Sequence, residues 1–481
     1  MRRQLPSIPR RFDTKSAPRP SDNLLNNQEV TKKTIRAEMP RRVAETLAVV
    51  CFLIVFPGYY FYHYFAAAGF IPLLIRGWFI LGCFATAASL GLAFLLTRPF
   101  PGPQLAVHAL FGALAAIIAG NAIYHYFWGE DFQRGPDIAV NVIITLASFV
   151  ALYLLGYFAS TTSSLRAATT FSLLAMATLA VGSIDPTTLQ FIAIKRFNAP
   201  DGVAEYQGFA FAFVTTALMA LGLNWNSRLE PIVLATGFAT LLISGSRSDF
   251  YGYAVIAAGW VTLLIIKKRY LTAATGIAAS AILTAAVLLL PPVIAEYTSK
   301  PHQVTQPEPS AATPAKTEPS RTESSPQKER SRSSDYTLDI ARQTVIVDIS
   351  QSESWSFRKQ MLARGWDDIK ASPFWGVYAG QTKDGRSIGS YIHNGLSAWR
   401  QFGLLAFLIY VALCVAPPLI ASYQVVLRGE HDPLWLSTLY FGTFCLFLVV
   451  TTKVIFWPLP ALAWGLLAGR FAQDQSQLQN G

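Results

Sequence analysis

Apolar runs of about 20 residues recur along the chain, each long enough to cross a bilayer as a helix. They begin at Ala44–Phe65 and continue through Leu73–Leu96, Leu105–Trp128, Ile138–Ala159 and Ala167–Ile184. Four more follow at Gly208–Leu223, Pro231–Ile243, Phe250–Ile266 and Leu271–Leu290. After a long polar interval come Leu396–Ala421, Leu434–Val450 and Val454–Ala468. This repetition predicts an all-α polytopic membrane protein of about twelve transmembrane helices, with one large loop containing short helices. The composition agrees: 52% of the 481 residues are hydrophobic and only 14% charged, more apolar than a soluble protein usually is.

Charge gives the runs a direction. Residues 1–42 carry eleven Lys or Arg against four acids, a net +7. They read as a disordered, basic cytoplasmic tail, with anionic lipid headgroups as its partner. Nucleic acid is a poor fit, because aromatic residues hardly interleave the charges and no binding motif is present. About forty polar residues precede the first run, so that run is expected to be a retained anchor rather than a cleaved signal. With the N-terminus inside, Arg98, Arg166, Arg228, Lys267-Lys268-Arg269, Arg428 and Arg470 all fall on the cytoplasmic side, as the positive-inside rule requires. Residues 43–290 then hold spans one to nine, 395–470 hold spans ten to twelve, and 471–481 form a cytoplasmic tail. The periplasmic loop covers 291–394. Its Pro/Ser/Thr-rich part, 299–334, is expected to be disordered and 335–394 ordered. Cys51, Cys83, Cys414 and Cys445 lie inside apolar runs without metal spacing and read as small core residues.

Three residues on the loop side carry chemistry. Arg247 sits in the hairpin between two runs, within Ser244-Gly245-Ser246-Arg247-Ser248. Arg358 lies on an expected helix from Trp355 to Ala371, capped by Ser354 and stopped before Pro373. On that helix Arg358, Leu362, Trp366 and Ile369 share one face by spacing. His393 precedes the tenth run. Each has an ordinary alternative: a headgroup-facing Arg, a snorkelling stem, a His at a helix start. Together they make one arrangement. Two guanidinium forks match phosphate oxygens, and an imidazole takes a proton from an attacking hydroxyl. The arrangement calls for no metal and no cofactor, because the two Arg neutralise a diphosphate leaving group. No Asp-x-Asp or His/Cys cluster offers a metal site.

The same residues carry a family resemblance. The Ser-Arg segment at 244–248 resembles the one that ends a span in O-antigen ligases and related polysaccharide polymerases. Ser356-Phe357-Arg358, then Trp366, then Pro373-Phe374-Trp375-Gly376 resembles their outer-loop pattern. His393-Asn394, Leu396 and Gly403 resemble their His-Asn-x-x-Leu followed by Gly. The likeness covers roughly Leu241 to Val411. It implies that Arg247 and Arg358 bind the diphosphate of an undecaprenyl-diphosphate-linked glycan and that His393 activates the acceptor hydroxyl. The acceptor would be lipid A–core for a ligase, or a growing polysaccharide for a polymerase. The site would face the periplasm from the bacterial inner membrane. An Arg-x10-Gly spacing found in some polymerases is absent, since Ala258 and Ile369 stand at those positions; this points to a ligase.

Two readings of other classes compete. About twelve spans also suit a secondary transporter, but ionisable residues are scarce mid-span and no two similar halves are evident. A non-enzymatic partner in a polysaccharide assembly complex would share the topology without the chemistry.

Overall fold

The computed structural model describes residues 41–72, 74, 77–97, 102–128, 135–184, 206–298, 353–380 and 392–480. Residues 1–40 of the basic tail, the Pro/Ser/Thr-rich insert, residues 335–352 and residues 381–391 therefore lie outside the described residues, as do residues 185–205. What is described is a bundle of helices. In chain order they are α1 (Arg41–Ala67), α2 (Trp78–Thr97), α3 (Gln104–Trp128), α4 (Gly135–Tyr157) and α5 (Ser163–Gly182). Next come α6 (Tyr206–Leu223), α7 (Glu230–Ile243), α8 (Arg247–Ile266), α9 (Tyr270–Thr298) and α10 (Glu353–Ala371). The last three are α11 (Leu396–Leu427), α12 (Pro433–Thr451) and α13 (Leu459–Asn480).

Nine of these helices are long and apolar enough to cross a membrane among the described residues. α6 and α7 are apolar but shorter. α13 opens with buried apolar residues and ends in a polar sequence. Several boundaries depart from expectation. α9 does not stop at Leu290 but runs through Pro291 and Pro292 to Thr298. α11 passes Pro417 and Pro418, and α1 passes Pro57 through a π-turn at Ile54–Gly58, as the expected runs Leu396–Ala421 and Ala44–Phe65 already did. Helices that cross lipid tolerate such interior prolines. α10 starts at Glu353, which puts Ser354 inside the first turn rather than at the cap. The last helix starts at Leu459, not Val454. Pro458 pushes Trp457 out of the helical region, so residues 452–458 form a non-helical crossover that carries Lys453. Residues 471–480, read from the sequence as a tail, continue α13 as helix.

Small residues set the closest approach. A methyl group on Gly465 would overlap the Tyr153 carbonyl, one on Gly469 the Tyr157 carbonyl, and one on Gly156 the Leu462 carbonyl. α4 and α13 thus touch backbone to backbone through Gly465-x-x-x-Gly469, a recurring way for helices to pack in lipid. Away from the large loop, buried Glu230 accepts from Trp260 Nε1 (2.7 Å), Arg269 (3.0 Å) and the Asn226 amide (3.1 Å). This ties the turns flanking α7 and α9 to α8. All four cysteines are free and buried. Replacing Gly465 or Gly469 by Leu should destabilise the bundle by about 1–3 kcal/mol or more, the cost of forced overpacking. The yield of monodisperse protein in detergent and its unfolding temperature measure this; an unchanged pair of values would refute the packing.

Candidate active site

Arg247 is the first residue of α8. It follows a turn in which Gly245 has φ +72°, a conformation that suits glycine. Ser244 Oγ donates to the Leu241 carbonyl (2.7 Å), and Ser246 Oγ donates to Asp249 Oδ2 (2.5 Å). The serines on either side of the glycine therefore hold the turn that presents the guanidinium. Gly252, little more than a turn further on, lies against Phe444 and Leu448 near the C-terminal end of α12.

His393 is fixed to that same end of α12. The Gly395 amide donates to the Val449 carbonyl (2.7 Å), and the Ile455 amide donates to Ser397 Oγ (2.8 Å). Asn394 Oδ1 accepts from the Leu396 amide (3.0 Å) and so starts α11. The crossover after α12 thus brings Lys453 beside the His-bearing turn. Lys453 Nζ rests 5.5 Å from the Trp457 ring centre. Burial lowers the His393 pKa below its ordinary value, and the positive charges of Arg358 and then Lys453 push it the same way. At neutral pH the ring is an uncharged base.

α10 brings Arg358 to this place by a contact that the helical period did not foretell. Of the residues expected to share a face with Arg358, Leu362 and Trp366 are exposed and Ile369 is buried. The buried face is Met361, Gly365 and Ile369. Gly365 decides the rotation of the helix, because any side chain there would strike Ile392 and crowd Arg400. One turn along, Asp368 Oδ2 accepts from Arg400 Nε (2.8 Å) and from a terminal guanidinium nitrogen (2.6 Å). Arg400 is buried on α11, so this charge-assisted pair clamps α10 over the start of α11 and over Ile392-His393.

A second clamp involves the two motif glycines. α11 breaks at Gly403, where φ is 81° and ψ 178°, a region open essentially to glycine alone. The turn Pro373–Val377 fits into the break. The Val377 amide donates to the Arg400 carbonyl (2.6 Å) and the Leu404 amide to the Pro373 carbonyl (3.1 Å). Trp399 Nε1 also donates to the Pro373 carbonyl (2.7 Å). Gly376 has φ +75°, and a Cβ there would stand 2.6 Å from the Gly403 nitrogen. The two glycines are therefore required by one another.

Arg247, Arg358 and His393 thus gather at one end of the bundle, the end of the long loop. Sequence reasoning missed Lys453, Asp368, Arg400 and Gly365. Lys453 looked like one more charge at a span edge. Among the described residues no group of three or more His, Cys, Asp or Glu could hold a metal ion. Asp368→Ala would leave Arg400 buried without its counter-charge and should cost about 3 kcal/mol, read as a lower unfolding temperature; a Asp368→Ala protein as stable as the wild type would disprove the clamp.

The sequence model of the O-antigen ligase family matches residues 232–411. No curated protein matches the chain. The matched segment runs from α7 into α11 and includes Arg247, Arg358, His393 and both motif glycines, while Lys453 lies beyond it. Over that segment the chain is similar to the O-antigen ligase family.

Proposed function

We infer that this protein moves a glycan from undecaprenyl diphosphate to a sugar hydroxyl of lipid A–core, on the periplasmic face of the bacterial inner membrane. The family likeness supports glycosyl transfer by a membrane ligase or polymerase in general. The observation that carries the finer reading is the half-buried His393 held beside Arg358 and Lys453, at the end of the bundle where Arg247 begins α8. The nine long spans, the two shorter apolar helices and α13 add up to twelve crossings in this reading. With the N-terminus inside, the site faces outward, and Arg166, Arg228 and Arg428 face the cytoplasm.

In the reaction, Arg247 and Arg358 hold the donor diphosphate, and Lys453 adds a third positive charge. His393 accepts the proton of the acceptor hydroxyl as that oxygen bonds to the anomeric carbon of the donor. The bond from that carbon to the diphosphate oxygen breaks, and undecaprenyl diphosphate leaves with the electron pair. The cations stabilise the charge that develops on the leaving oxygen. Docking the diphosphate also relieves the repulsion between those cations and the imidazolium that forms on His393. No metal or cofactor has a role in this scheme.

Four results are expected. Arg247→Ala, Arg358→Ala and His393→Ala should each reduce transfer from purified lipid-linked glycan, the histidine change by on the order of 10²–10⁴-fold, while leaving protein in the membrane. Full activity of the His393 variant would remove the base from the scheme. Because the His393 pKa is depressed, the neutral base should persist as pH falls. The acid limb of kcat/KM should then lie below about 6.5, the ordinary imidazole value. Lys453→Ala should move that limb upward and raise the KM for the donor; a limb that stays in place would exclude Lys453 from the site. In cells without the protein, polymerised but unattached lipid-carried glycan marks a ligase, and single repeat units mark a polymerase.

A further inference from the structure

The turn that plugs α11 leaves its two central side chains without cover. Phe374 is 69% and Trp375 82% exposed, although the backbone around them is pinned on both sides of Gly403. Water-facing turns seldom place two large aromatic residues at their tip. The depth of the turn explains the choice. α11 has 32 residues, about 48 Å of helix, far more than the roughly 30 Å hydrocarbon core. From Leu404 to Leu427 about 36 Å remains, enough for the whole crossing. Gly403 and the turn docked on it therefore lie at the level where the hydrocarbon gives way to headgroups. Just past the break, Leu405 and Leu408 begin an exposed apolar stripe that Val415 and Leu419 continue. On a helix that crosses a bilayer, such a stripe faces lipid. Beside it, Trp366 meets the edge of Trp399 (6.2 Å between ring centres), and Trp399 stacks on Phe407 (5.1 Å). An aromatic band thus descends from α10 to the membrane-facing side of α11.

We propose that the Phe374-Trp375 tip is a lipid-binding anchor that seats in the headgroup boundary of the leaflet on the loop side and holds α10 against the membrane surface. Broken backbone is tolerated at this depth because the Pro373–Val377 turn pairs the groups that the break frees. Trp is suited to such a level, since its ring is apolar and its N–H polar. The anchor acts on geometry. Through Val377, Arg400 and Asp368 it is continuous with the helix that carries Arg358, so a lipid-seated tip sets the height of Arg358 above the bilayer. The partner is the phospholipid surface itself, recognised without regard to headgroup identity.

The test does not involve glycan transfer, so it stands or falls independently of the function proposed above. Full-length Trp375→Cys protein is labelled with an environment-sensitive fluorophore and reconstituted into vesicles of phosphatidylethanolamine and phosphatidylglycerol. Wild-type protein carried through the same reaction sets the background from the four buried cysteines. Spin-labelled lipid with its nitroxide near the headgroup end of the acyl chain should quench the probe, and aqueous iodide should not. Quenching by iodide alone would place the tip in water and overturn the proposal. Protection from both quenchers would mean cover by protein or glycan, and would overturn it equally. Phe374→Cys, read in the same way, guards against a fold defect particular to position 375. A Phe374→Asp/Trp375→Asp double variant, with probes elsewhere on α10, should show that helix lifted from lipid, whereas Phe374→Leu/Trp375→Leu should not.

Discussion

A helix crossing lipid has no water to satisfy an unpaired amide or carbonyl, so a break in one must be repaired by protein. α11 breaks at Gly403, and the rest of the loop end depends on that repair. The Pro373–Val377 turn supplies a carbonyl to Leu404 and takes one from Arg400. The loop is thereby attached to the bundle at its depth, not merely draped over the bundle. Because the turn directly follows α10, the repair also fixes where α10 lies. The buried Asp368–Arg400 pair then sets its orientation. A single backbone defect in one span thus becomes the joint by which a loop helix is built into the membrane domain.

The electrostatics of the site follow from this joint. Arg358, arriving on α10, and Lys453, arriving on the crossover before α13, both stand where His393 feels them. Like charges drawn together around a half-buried base are unfavourable unless something negative is meant to come between them. A soluble enzyme would more often supply that charge from an Asp or Glu. Here Asp368 is already committed to Arg400, and Asp249 is tied to Ser246. Positive charges grouped in this way favour a nearby anion, and they lie on or next to the segment, residues 232–411, that resembles the O-antigen ligase family. Binding such an anion would ease the repulsion that adds to burial in lowering the His393 pKa. Base strength and substrate binding would then be coupled by one set of charges.

Much of this was legible along the chain. Apolar runs are a linear signal, because each span must satisfy its backbone alone and so announces itself by length and composition. The charge rule sorted the turns into two groups, and Arg247 and His393 indeed share one end of the bundle. The glycines at 376 and 403 were recognisable as motif positions, though the sequence offered no reason that they should touch. Proline was misleading at 291–292, where the helix continues to Thr298, but not at 417–418, which the expected tenth run already crossed. It was informative at 458, where the chain does leave the helix.

What the sequence by itself determined is the membrane class and the order of the apolar helices. These are properties of single segments, set by helical period, hydropathy and charge. Tertiary structure alone decided that Gly365 packs against Ile392 and Arg400, that Asp368 pairs with Arg400, and that Lys453 stands near His393. Each depends on how closely two helices from distant parts of the chain approach. That distance is set by side-chain volume at the crossing, to which no local pattern in either helix is sensitive.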